Sequence, residues 1–144
     1  MTTKEYLYSV SRAKARAERA VENLNEIRLL AGAVSGVSYD KERVQESHNP
    51  DRMTGLIASV IDAEDEVNAA VTEYKDLLAT VTRQINALPV HLSQVLYDHY
   101  LLGCAYKECA IRAGVCFRTI MKRSSEAMDA FELKFGNEYA GMVA

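Results

Sequence analysis

The chain has 144 residues, with 17 Lys and Arg against 20 Asp and Glu and a net charge of −3, which argues against a protein held to polyanions mainly by overall charge. Its 2 prolines and 7 glycines leave an Ala-rich sequence that favours an all-α fold, and its length suits one compact domain or a small domain with a helical arm. No secretory segment follows Met1, no apolar run reaches about twenty residues, and the 3 cysteines lack paired spacing, so a protein of the reducing cytoplasm with no membrane partner is expected.

From about Thr3 to Ala31, Leu7, Val10, Ala17, Val21, Leu24 and Ile27 keep a three-four rhythm that predicts an amphipathic helix. Arg12, Lys14, Arg16, Arg19, Glu18, Glu22 and Glu26 fill the remainder as a solvated face. Periodicity breaks over 32–50, where Gly36, Asn49 and Pro50 predict a loop that is long for a compact protein. Asp51 is the expected N-cap of a second helix over about 51–87. Its stripe reads Met53, Leu56 or Ile57, Val60, Ile61, Val67, Val71, Tyr74, Leu78, Val81 and Ile85, until Pro89 ends or bends it. Residues 1–87 are thus expected to form an antiparallel hairpin. A stripe this narrow covers a narrow seam, and a homodimer through the N-terminal helices, along Met53, Val60, Val67, Tyr74 and Val81, is the expected way to complete it.

Residues 88–144 read as a helix-turn-helix domain. Leu92, Val95, Leu96 and Tyr100 recur at helical spacing, and Gly103 stops that helix. A short helix from about Tyr106 to Ala113 places small Ala110 where a crossing helix passes. Gly114 then supplies the positive φ of a tight turn. The next helix starts near Cys116, buries Ile120 and turns Arg118, Thr119, Lys122 and Arg123 outward. Ile120, Ala110, Val115 and Leu96 are expected to hold this motif rigid. From Arg112 to Arg123 there are basic residues and no acid, whereas Glu126, Asp129, Glu132 and Glu138 follow. Such a local patch neutralises a few phosphates and gives modest, salt-sensitive affinity.

The run LPVHLSQVLYDHYLLGCAYKECAIRAGVCFRTIMKRSSEAMDAF resembles region four of primary-type sigma factors, with Tyr100-Leu101-Leu102-Gly103, Cys109-Ala110, Gly114 and Thr119-Ile120 at the family's places. Cys109 stands where the family usually has Ile, and Cys116 where it usually has Ser, a better N-cap. An opening KEYL, a long charged helix, Val44-Gln45-Glu46-Ser47 followed by Asp51-Arg52, and a second long helix are similar to short Firmicute phage and prophage proteins near the ArpU and RinA types of transcriptional regulator. The resemblance implies a sequence-specific regulator of phage genes that binds double-stranded DNA, and leaves open whether RNA polymerase is also a partner. In that reading the helix from Cys116 to Ala127 enters a major groove, Phe117, Arg118 and Lys122 lie nearest the bases, and Tyr106, Lys107 and Arg123 lie nearest phosphates.

Other chemistry is poorly supported. His99, Cys104, Cys109 and Cys116 are close in sequence but form no C-x-x-C pair, so no metal is expected. No phosphate loop, nucleophile elbow or metalloprotease motif is present, and His48 and His91 lack a nearby nucleophile, so neither an enzyme nor a cofactor is expected. Asp62, Glu64, Asp65 and Glu66 point in different directions on a helix and read as its exterior. Two alternatives share the helical pattern: a small terminase subunit that recognises DNA for packaging, and a helical adaptor that binds no DNA.

Overall fold

A computed structural model describes residues 1–40 and 50–143, with side chains over 1–32 and 52–143. All regular structure among the described residues is helical. Helix α1 spans Thr3–Asp40 and α2 Pro50–Asn86. Then follow α3 (Val90–Leu96), a π-helical turn over Tyr97–Leu101, α4 (Tyr106–Ala113) and α5 (Phe117–Tyr139). No helix among the described residues is long and apolar enough to cross a membrane. The chain packs as two compact units, one of Met1–Lys14 with Tyr74–Ala144 and the other Ala15–Glu73. Packing therefore does not divide the chain at the expected boundary between 87 and 88.

The unit 15–73 is a pair of antiparallel helical segments. Buried or half-buried positions alternate by three and four residues on both: Ala17, Ala20, Leu24, Ile27 and Ala31 on α1, and Met53, Leu56, Val60, Ala63, Val67 and Ala70 on α2. This is a heptad seam. Arg16 reaches Glu66 at 3.4 Å and Glu73 at 2.6 Å, and Arg28 reaches Glu64 at 2.9 Å. These pairs are about half exposed, so they contribute about 1 kcal/mol or less each and chiefly fix direction and register.

Three features differ from the sequence expectation. Val21 and Ile61 are exposed by 40 and 52%, whereas Ala20, Ala63 and Ala70 are buried, and of the alternatives Leu56 and Ile57 it is Leu56 that lies on the seam. The seam selects residues by helical phase rather than by size, so small alanines displace larger apolar neighbours that lie off it. Second, α1 passes Ala31 and continues to Asp40, because glycine weakens a helix without having to end it. The rest of the expected loop, 41–49, with Val44-Gln45-Glu46-Ser47 and His48, lies outside the described residues. Third, α2 starts at Pro50, whose fixed φ and missing N–H suit a first helical position, which places Asp51 within the first turn instead of at the cap.

In the larger unit, α1 opens with a reciprocal box: Thr2 N–H donates to Glu5 Oε2 at 2.7 Å, and Glu5 N–H donates to Thr2 Oγ1 at 3.2 Å. The hydrogen bonds from Thr2 hold the Glu5 carboxyl below its ordinary pKa. Next, Tyr6, Leu7 and Val10 enter a core with Val81 and Ile85 of α2, Leu88, Leu92 and Leu96, Tyr100, and Ala127, Phe131 and Tyr139 of α5. Tyr6 stacks on Tyr139 with ring centroids 4.4 Å apart. Gln84 is buried in this core, accepts from the Tyr6 hydroxyl at 2.7 Å and donates to Glu138, so its amide is satisfied at both ends. Of the expected dimer seam, Met53, Val60 and Val67 thus face α1 within the hairpin unit, and Val81 is fully buried in the larger core.

An Ala70→Leu substitution is expected to destabilise the hairpin unit by about 1–3 kcal/mol, since Ala70 is 1% exposed and its place admits no larger side chain without shifting the helices. Ala69→Leu, exposed and one residue off the seam, is expected to change stability by no more than about 0.5 kcal/mol. Thermal unfolding of the two variants checks this, and equal losses would place the seam elsewhere.

Candidate nucleic-acid interface

The candidate surface is built on the π-helical turn that follows α3. Leu102 N–H reaches back to the Tyr97 carbonyl at 3.0 Å, and Cys104 N–H reaches the Asp98 carbonyl at 2.9 Å across Gly103, which adopts φ 77°. Three successive side chains of this turn tie it to its neighbours. Asp98, 5% exposed, lies 3.6 Å from the Arg112 Nε of α4. The His99 ring stacks on Tyr106 at 3.9 Å, with Nδ1 2.8 Å from the Cys104 carbonyl and Nε2 3.4 Å from the Tyr8 hydroxyl. Tyr100 enters the main core, where burial, with Tyr106 beside it, pushes its hydroxyl pKa up.

A smaller core made by Val95, Cys109, Ala110 and Ile120 holds α4 against α5, with Val115, Ala113, Tyr106 and Cys104 around it. Ala110 lies in it as expected, but Val95 supplies the α3 contact and Leu96 belongs to the other core. Burial also pushes the Cys109 thiol pKa up. Helix α4 closes on Gly114 at φ 71°, with Val115 N–H donating to the Ala110 carbonyl at 3.0 Å and Gly114 N–H to the Ile111 carbonyl at 3.2 Å. This is a Schellman closure that needs the left-handed conformation glycine tolerates. Cys116 takes the N-cap backbone position of α5 without a capping side-chain hydrogen bond. Its sulfur lies 3.2 Å from the Thr119 hydroxyl, which holds the thiol below its ordinary pKa.

On this frame Lys107, Phe117, Arg118 and Lys122 are exposed, and Thr119 and Arg123 are half-buried. Arg118 and Lys122 are one turn apart and share a face of α5. Lys107, Arg118, Lys122 and Arg123 have no ion-pair partner among the described residues, whereas Arg112 is engaged by Asp98. Tyr106 differs from the sequence expectation: its ring lies on His99 and its hydroxyl accepts from Ser124 at 3.1 Å, so it braces α4 against α5 with its polar end turned inward. Two apolar residues outside the expected interface are also exposed, Ile111 at 80% and Met121 at 40%. Met121 carried a signal, since it lies one turn beyond Phe117.

Elsewhere, no group of three His, Cys, Asp or Glu side chains among the described residues is placed to hold a metal ion. In the acidic run of α2, Glu64 and Glu66 pair with Arg28 and Arg16, and Asp62 and Asp65 are exposed. Comparison with family models, curated proteins and solved structures finds no match to this chain.

A Cβ at Gly114 would meet no atom within 4 Å, so the cost of replacing this residue comes from its positive φ alone. Gly114→Val is expected to cost about 1–2 kcal/mol or more, and Gly114→Asn less, because Asn tolerates the left-handed region better. Chemical denaturation of the two variants checks the order; wild-type stability for the Val variant would exclude this turn geometry.

Proposed function

We propose that the chain is a sequence-specific DNA-binding transcriptional regulator of phage or prophage genes, related in design to sigma-factor region four. It inserts the first half of α5 into a major groove as the recognition helix of a helix-turn-helix. One observation carries the reading: α4 and α5, joined through the left-handed Gly114 and fixed by a shared core, expose Arg118 and Lys122 on one face with Lys107 on the preceding helix. Long unpaired donors on a helix narrow enough for the groove suit guanine edges and phosphates. The sequence resemblance, through Tyr100-Leu101-Leu102-Gly103, Gly114 and Thr119-Ile120, supports the same reading.

Selection of bound duplexes from a random pool is expected to enrich a motif. Replacing Arg118 and Lys122 together by Ala should weaken binding to that motif by about tenfold or more with helicity unchanged. Lys107→Ala should instead flatten the salt dependence by about 0.9 in the log-log slope, whatever the sequence. Unchanged affinity for the double variant in a gel-shift titration would remove α5 from the interface.

A few phosphate contacts give limited affinity, and joining two motifs makes the second binding step intramolecular. We therefore propose a homodimer through the hairpin unit, supported by the apolar surface that Val21, Leu29, Leu30, Ile57 and Ile61 leave exposed. Light scattering at micromolar concentration is expected to give a dimer mass, reduced to that of a monomer when Ile57 and Ile61 are both made Lys. A monomeric mass for the unaltered protein would overturn it.

A further inference from the structure

Exposure on α5 is of two chemical kinds. Beside the cationic pair Arg118 and Lys122 lie Phe117, 49% exposed, and Met121, 40% exposed, one turn apart on an adjoining strip of the same helix. Neither belongs to either core cluster, so packing does not account for their apolar character. An aromatic ring at the first position of a helix, beside cations that have no ion-pair partner among the described residues, is poorly placed in water. Of the groups a base pair offers in the major groove, the thymine 5-methyl is the one that an apolar side chain matches.

We infer that Phe117 and Met121 read thymine methyl groups, so that the target of this chain holds thymine beside the guanine edges or phosphates taken by Arg118 and Lys122. The inference rests on the proposed insertion of α5 into a major groove and adds which bases that groove presents. The cations suit a polyanionic occupant, and the apolar strip assigns the methyl-bearing edge to its side of the helix. Discrimination at these positions comes from apolar burial rather than hydrogen bonding, so it should resist salt while the cationic contacts weaken.

The test uses the full chain and a duplex enriched from a random pool, resynthesised with deoxyuridine in place of thymidine at one position at a time. This exchange removes the methyl and leaves the hydrogen-bonding groups unchanged. Binding is expected to weaken by about threefold to tenfold at one or two positions and to stay constant at the rest. Phe117→Ala with Met121→Ala should bind the thymidine duplex as weakly as the unaltered protein binds the deoxyuridine one, and should no longer distinguish the two. Should that variant fail to fold, the deoxyuridine scan of the unaltered protein decides alone. Selective binding that is indifferent to every methyl would overturn the inference and leave the DNA-binding reading standing. Failure to enrich any duplex would overturn both.

Discussion

The rotation of α5 about its own axis is the constraint on which the candidate surface depends. Ile120, Ala127 and Phe131 are each fully buried, and they lie on one side of a helix about 35 Å long. Ile120 belongs to the small core with α4, and Ala127 and Phe131 belong to the core shared with α1, α2 and α3. Two separate packing sites therefore fix the phase of one helix. The direction in which Arg118 and Lys122 point follows from that phase, and no contact of their own is needed to aim them. A surface so placed is preorganised, which spares part of the ordering cost that a flexible basic segment meets on binding.

The second support is polar. A helix packed only through apolar side chains can slide by one turn at modest cost, whereas buried hydrogen-bonding groups penalise every register in which they lose partners. Gln84 has its amide held between Tyr6 and Glu138, and Tyr139 meets Thr3 at 2.6 Å. These contacts bring the first turn of α1 and the last turns of α5 to the same end of the larger core. Around the π-helical turn, Asp98, His99 and Tyr100 act in the same manner toward α4 and α1. The widened turn closes through Leu102 N–H to the Tyr97 carbonyl before Gly103 and Cys104 N–H to the Asp98 carbonyl across it, so the chain leaves toward α4 with Asp98 still inside.

Much of this was legible in the sequence where one residue type has one physical use. Gly114 adopts the positive φ that its place in a tight turn suggested, Gly103 follows the end of its helix, Pro89 falls between α2 and α3, and Ala110 and Ile120 meet in a core. Legibility failed where the signal depended on a partner. A search for large apolar residues passes over Ala20, Ala63 and Ala70 and takes in Val21 and Ile61, which do not enter the seam, while the spacing leaves Leu56 and Ile57 as alternatives, of which Leu56 enters it. Nothing near Thr3 or Gln84 in sequence marks them for burial, because their partners Tyr139 and Tyr6 lie far away along the chain. Tyr106 read as a phosphate contact because a tyrosine at a helix start is ambiguous until its hydroxyl is seen against Ser124. No local sequence feature separates a π-helical turn from an α-helical one.

Charge distribution gives the last step. A chain with a net charge of −3 repels a polyanion at long range, and screening shortens that repulsion to roughly 10 Å at moderate salt. Within that distance the nearest charges decide: Arg118, Lys122 and Arg123 lie in the first turns of α5, and α4 adds Lys107 with an exposed Glu108 beside it. Arg112 would belong to the same group by sequence, yet Asp98 holds it, so one cation of the run serves the fold instead of the surface. Further along α5 the acids Glu126, Asp129 and Glu132 are exposed. A polyanion meeting this helix is therefore favoured at its N-terminal turns and disfavoured beyond them, where the helix also turns into the core. Charge and packing thus single out the same short segment of α5, its N-terminal turns, as the part of the helix that is both cationic and exposed.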